Sequence, residues 1–266
     1  MPSVVRLFIH PIKSLPRVAV SRATFTVGGS LAHDREFALF DPDGQVVNGK
    51  RLPLVHQVRA EYDLAALTVS LRDRDDHPSS TFHLLDDRAR IEGWFSTLFG
   101  FPVTLERNQT TGFPDDTVAP GPTIVSETTL DQVSTWFPGM GANEASRRFR
   151  ANIEVGGVPA FWEDRLFGDS GATVAFAIGG ARLEGVNPCQ RCVVPTRDPD
   201  TGTVIQGFQR TFSERRKATL PKWAAAERFD HFYRLSVNTR VSSTESGTQV
   251  QLGDELVVTG SRGKIG

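Results

Sequence analysis

The chain has 266 residues, a formal net charge of -1, and 39% hydrophobic against 23% charged residues. This is the balance of an ordinary globular protein of one large or two modest domains, and it excludes a global electrostatic pull toward nucleic acid or an anionic membrane. No window reaches the roughly 18 apolar residues of a membrane span, and the opening MPSVVRLFIHPIKS has no signal-peptide core, so the expected location is cytoplasmic.

In chain order, β-branched and aromatic runs ending at turn residues predict strands over 4–10, 18–27 and 35–41. Asp41-Pro42-Asp43-Gly44 predicts a hairpin turn. Strands are expected again over 55–63, 67–72 and 81–85. Ile91, Trp94, Phe95 and Leu98 recur at helical spacing and predict a helix over 87–98. The stretch TTGFPDDTVAPGPT, 110–123, has little to bury and predicts a long loop between two lobes. A second helix is expected over 126–137, with Ser126 or Thr128 as its N-cap. Strands then resume over 148–155, 173–180, 181–186, 192–197 and 203–208. A basic helix over 213–223 and strands over 231–241 and 248–260 close the chain. Many short strands with few helices predict a β-rich α+β protein, barrel-like and not a doubly wound sheet.

Both cysteines, Cys189 and Cys192, fall in NPCQRCVVPTRDPDTG with Arg191 between them. A closed zinc site needs four ligands, and the six histidines are scattered without a second CxxC. A dithiol redox pair belongs at the start of a helix, whereas VVPTR reads as strand. A third reading is a single thiolate ligand: Arg191 next to Cys192 favours the thiolate, a soft donor for a metal. A fourth is that both are small core residues. Asp198-Pro199-Asp200-Thr201-Gly202 reads as a turn in its own right. GDSGA, 168–172, is a protease-like serine motif around Ser170, but no upstream histidine block supports a triad, and a turn is the simpler reading.

The combination is more specific than its parts. PCQRCVVPTRDPDTG resembles the signature of the MOSC-domain family, named for the C-terminal domain of molybdenum cofactor sulfurases. Within that family it is most similar to the mitochondrial amidoxime reducing component and its bacterial relatives. HPIKS (10–14), HDREFALFDPDG (33–44), VSETTL (125–130) and RFRANIEV (148–155) resemble further blocks of the same family, with Ala151 where relatives often carry proline. The resemblance implies an N-terminal β-barrel domain over 1–110 and a MOSC domain over 111–266.

It also implies the molybdenum cofactor, a pterin-held molybdenum, with Cys192 as the metal ligand and Cys189 as a neighbour. Lys13, Ser14, Arg35 and Arg150 are the expected charge and hydroxyl contacts to its phosphate end, with Gln190 and Arg191 beside the ligand. Asn152 is expected at the pterin edge. Ser126 is expected as helix cap, phosphate donor or both. Asp198 is a candidate proton relay, with the turn as its favoured role. Arg147 and Arg148 read as solvated charges.

The implied reaction is two-electron reduction of an N-hydroxylated compound. Electrons would come from a separate reductase or small electron-transfer partner, because no GxGxxG follows a strand. The chain ends at SRGKIG without further cysteines, so no iron–sulfur cluster of its own is expected. The alternative from the same resemblance is a non-catalytic carrier of molybdenum cofactor or sulfur.

Overall fold

The structure is a computed structural model that describes residues 1–73 and 77–262. Its elements run β1 (Ser3–Ile9), β2 (Val18–Ala19), β3 (Arg22–Thr24), β4 (Phe37–Phe40), β5 (Arg59–Asp63), β6 (Thr68–Arg72), β7 (Ser80–His83), α1 (Arg88–Phe99), β8 (Thr104–Arg107), β9 (Ile124–Ser126), α2 (Glu127–Ser134) and α3 (Ala142–Phe149). They continue with β10 (Ile153–Gly156), β11 (Thr173–Ile178), β12 (Ala181–Gln190), α4 (Phe208–Ala218), β13 (Arg234–Val241), β14 (Gln249–Gln251) and β15 (Leu256–Arg262). The protein is β-rich α+β, as expected.

An eight-stranded sheet in the order β15-β11-β12-β13-β9-β10-β1-β2 dominates. Only β9 and β10 pair in parallel; the other pairings in this sheet are antiparallel. Strand β1 therefore shares a core with distant elements: Val4, Leu7 and Ile9 pack with Ile124, Ile153, Phe176, Leu183 and Val237. One residue in this layer admits no side chain. A Cβ on Gly185 would lie 1.6 Å from the Leu166 carbonyl oxygen.

A second core gathers Ile12, Phe37, Val69, Leu71, Phe82, Ile91, Phe95 and Leu105 from β4 to β8 and α1. Helix α1 buries Ile91, Phe95 and Phe99 at steps of four and stops at Gly100, whose φ of 78° breaks the helical path. A third core joins α2, α3 and α4 through Leu130, Val133, Phe149, Phe208, Phe212 and Tyr233. Phe212 is fully buried there, so truncating it to alanine would cost about 3–5 kcal/mol.

Three local expectations are corrected. Helix α3 occupies 142–149, where strand was expected from 148, because Ala145, Ser146, Arg148 and Phe149 make its buried face. That stripe contains one large apolar residue, so hydrophobic periodicity could not reveal it. Residues 194–196 form a 3-10 turn and not a strand. The basic helix begins at Phe208, earlier than expected, because Phe208, Phe212 and Arg216 are its inward face; only the single bridge Arg197–Val204 remains of the strand expected over 203–208.

Candidate functional site

The open ends of β1, β12 and α3 converge on one large cleft. Its volume is about 1020 Å³, and its walls come from segments far apart in the chain: Lys13, Ser14 and Arg35, and Arg150, Gln190, Arg191 and Cys192. That is the upper end of the size range for small-molecule and cofactor sites.

Cys192 is half-buried and forms part of the cleft wall; its Sγ accepts from the Val194 amide at 3.4 Å. Cys189 is also half-buried and lines the cleft. Arg191 does not turn to its sequence neighbour Cys192. Its Nη1 lies 3.1 Å from Cys189 Sγ, its Nη2 donates to the Phe149 carbonyl at 2.7 Å, and its guanidinium sits 5.5 Å from the Phe149 ring centre. In chain leaving a strand, residues two apart share a face, which carries 189 and 191 together and turns 192 the other way. Among the described residues no three His, Cys, Asp or Glu side chains converge into a nest for a bare ion. Cys192 offers a metal one sulfur.

Another part of the cleft wall is crowded with cations. Lys13 Nζ donates to the carbonyls of Phe113 at 2.9 Å and Pro114 at 3.3 Å, and pairs with Asp115 at 3.0 Å. Arg35 leans on Asp34 and reaches Asn152 Oδ1 at 3.4 Å. Arg150 donates from Nη2 to the Leu15 carbonyl at 2.8 Å. Burial, then the like charges of Arg35 and Arg17, pull the Arg150 pKa down to about 10. Burial likewise lowers Lys13, partly offset by Asp115. Ser14, Arg35 and Arg150 all have left-handed backbones, with φ of 74°, 50° and 54°. Such non-glycine conformations cost of order 1–3 kcal/mol each and concentrate at functional sites.

Three expected residues are not brought to the cleft wall. Ser126 is fully buried and caps α2, accepting from the Thr129 amide at 3.2 Å. Asn152 is fully buried behind Arg35: its Oδ1 takes the Thr123 amide at 3.2 Å and its Nδ2 donates to the Phe8 carbonyl. Asp198 organises the turn, its Oδ1 accepting from the amides of Asp200 and Thr201 and from the Thr201 hydroxyl.

Arg148, read as a solvated charge, is 2% exposed. It donates to the carbonyls of Pro195 and Arg197 and from Nε to Glu144 at 2.8 Å, so it pins the segment that follows Cys192. The only sequence signal was its i,i+4 spacing from Glu144. Arg147, by contrast, is half-exposed and forks onto the Asp200 carboxylate. Lys50, His56 and Asp115 also line the cleft, and no sequence motif announced them.

Family models match two parts of the chain: the MOSC N-terminal beta barrel domain over residues 1–100 and the MOSC domain over 123–257. The chain belongs to the MOSC-domain family. Mitochondrial amidoxime reducing component 2 of Macaca fascicularis is 26% identical over 242 residues, 76% of this MOSC protein and 68% of the relative. The Bos taurus protein of the same name is 27% identical over 244 residues, with the same coverage. Molybdenum cofactor sulfurase of Solanum lycopersicum is 23% identical; the match covers 96% of this chain but 35% of the sulfurase, so this MOSC protein spans about a third of it. The relatives are thus molybdenum-cofactor-related proteins. Among the described residues no helix is long and apolar enough to cross a membrane.

The cleft offers what a phosphate-bearing, heteroatom-rich group requires. Its wall is rich in cations, Lys13, Arg35, Lys50, Arg150, Arg191 and Arg197 among them. Two residues of its wall, Arg191 and Arg197, keep their Nε atoms buried without a partner among the described residues. Unpaired buried donors cost stability until something accepts from them. The donor set therefore fits the molybdenum cofactor, with two cysteines, Cys189 and Cys192, in the wall of the same space.

Proposed function

We propose that this MOSC protein is a molybdenum-cofactor-dependent oxidoreductase that reduces N-hydroxylated compounds by two electrons. The observation that carries the reading is that Cys192 shares one cleft with Lys13, Arg35 and Arg150, although these residues are far apart in the chain. Similarity to the amidoxime reducing components supports it.

In this reading Cys192 holds the metal. Lys13, Ser14, Arg35 and Arg150 hold the phosphate end, and Gln190 and Arg191 form the wall beside the ligand. Asn152 and Ser126 act from behind, Asn152 by orienting Arg35 and Ser126 by capping α2. Arg148 fixes the carbonyls beyond Cys192 and so sets where the sulfur points. Asp198 shapes the turn and keeps its Oδ2 3.8 Å from Arg148. The cofactor, when bound, supplies the electron pair that cleaves the N–O bond, giving the N–H product and water. The chain's own groups bind, orient and exclude water. A separate reductase or small electron-transfer protein delivers the electrons, and both the 1–110 and 111–266 units contribute to the site.

Metal analysis tests the reading, followed by turnover of benzamidoxime with an artificial donor. We expect molybdenum near one per chain after expression in a cofactor-competent host, and reduction to benzamidine. Cys192→Ser should lose most of the molybdenum, at least about tenfold, whereas Cys189→Ser should retain it. A second reading has its own support, the sulfurase likeness across 96% of this chain. Under it the protein carries cofactor or sulfur, and the expected result is bound molybdenum without turnover. Absence of both metal and turnover would sink both readings.

A further inference from the structure

The loop over 110–123 does more than bridge the lobes. It crosses the cation-rich part of the cleft wall and places one carboxylate there. Asp115 Oδ1 lies 3.0 Å from Lys13 Nζ and 3.9 Å from Lys50 Nζ. Desolvation at the cleft opposes ionisation, but the charges of Lys13 and then Arg35 hold its pKa below the usual carboxylate range. The carboxylate is therefore charged and sits in the field of Lys13 and Arg35, both read above as part of the phosphate seat, and of Lys50.

The residues around Asp115 are fixed while Asp115 itself is free to turn. Phe113 donates its amide to the Arg35 carbonyl at 2.9 Å. A Cβ on Gly112 would lie 2.5 Å from the Asp34 carbonyl oxygen, so the backbone passes close there. Asp116 Oδ1 takes the amides of Val118 and Ala119, and its Oδ2 accepts from Asn238 at 3.1 Å. Between these anchors the Asp115 side chain is 68% exposed. It can leave the cations by rotating, without moving the loop.

We propose that Asp115 is a resident anion: it occupies the phosphate seat of the cofactor-free protein and swings out when a phosphate group binds Lys13 and Arg35. The inference rests on reading this part of the cleft as a phosphate seat. It needs no metal and no reaction. A cation cluster left bare would be self-repelling, and a displaceable carboxylate keeps it neutralised until the ligand arrives.

The test is calorimetric titration of the metal-free protein with inorganic phosphate, using the wild type, Asp115→Asn and Asp115→Ser. Both variants leave the Phe113 and Asp116 anchors intact. We expect both to bind phosphate about fivefold tighter than the wild type, the upper range for releasing an exposed ion pair. Melting temperature should fall in both variants without phosphate and recover with it. Adding Lys13→Met should abolish the gain. Equal or weaker phosphate binding by the variants would show that Asp115 only tethers the loop, and would overturn the proposal. So would phosphate binding too weak to detect in every form. In that last case molybdenum retention, measured separately, shows whether the wider functional reading survives.

Discussion

Of the buried charge clusters in this molecule, two are out of balance in opposite directions. At the cleft, Lys13, Arg35 and Arg150 outnumber the carboxylates Asp34 and Asp115 that act on them. Beneath α4, the carboxylates Glu163 and Asp164 outnumber Arg216, and all three are at most 4% exposed. Arg216 donates to Asp164, while Phe161 and Phe229 cover its guanidinium at 4.3 and 4.8 Å. Glu163 takes the Ser126 amide and the Thr129 hydroxyl, and among the described residues no cation bonds to it. An excess of cations facing an open cleft calls for an external anion. An excess of carboxylates sealed in hydrocarbon can be relieved only by a proton. Access to solvent, more than charge, separates a binding site from a structural strut.

The largest effect should come from breaking the sealed cluster. Arg216→Met leaves two carboxyls buried without a counter-charge, and we expect a loss of about 3–5 kcal/mol in unfolding free energy by urea denaturation. A loss below about 1 kcal/mol would mean that water reaches the cluster, and the contrast with the cleft would fail.

How much of this contrast could be read from the chain depends on whether the determining contacts are local. Helix α1 was legible because Ile91 and Phe95 recur on one face, and the α2 cap because Ser126 stands at its start. The cleft wall was legible where it rests on short blocks, at Lys13–Ser14, Arg35 and Cys192. It was not legible where a side chain works across the sequence. Arg148 looked like a surface charge because its carbonyl partners lie 47 and 49 residues away. Arg191 was assigned to its neighbour Cys192, while strand geometry gave it to Cys189. Asp115 lay in a stretch with nothing to bury, and only the fold brings Lys13 to it across the chain. The Arg216–Asp164 pair was equally silent, because a basic helix normally predicts a solvated face.

The sealed cluster also predicts a pH dependence. Burial, and then the adjacent Asp164 carboxyl, push the Glu163 carboxyl up to about 7. In the unfolded chain it titrates near its ordinary value of about 4.3. Between those values the folded state holds a proton that the unfolded state has released. Stability from this group is therefore fully present below about 4.3 and is lost as pH rises toward about 7. Glu163→Gln should flatten that part of the curve, and at pH 8 the variant should be about 1–3 kcal/mol more stable than the wild type. Parallel curves for the two proteins would mean that Glu163 is ionised throughout and stabilised by a group other than Arg216.

The cleft cluster should respond in the opposite sense when one of its cations is removed. Arg150→Met keeps the residue at the left-handed end of α3 and deletes the charge that burial, Arg35 and Arg17 disfavour. Its one hydrogen bond, to the Leu15 carbonyl, is lost, but a like-charge repulsion is relieved with it. These terms oppose each other, so stability should change by less than about 1 kcal/mol. Phosphate affinity measured by calorimetry should nonetheless fall about tenfold, as expected for a charge-assisted contact at a desolvated site. Arg216→Met should show the reverse pattern, with stability lost and phosphate affinity unchanged in the fraction that stays folded. If Arg150→Met instead destabilised the protein as strongly as Arg216→Met, the cleft arginine would be a strut as well, and the cation excess could not be read as a demand for a ligand.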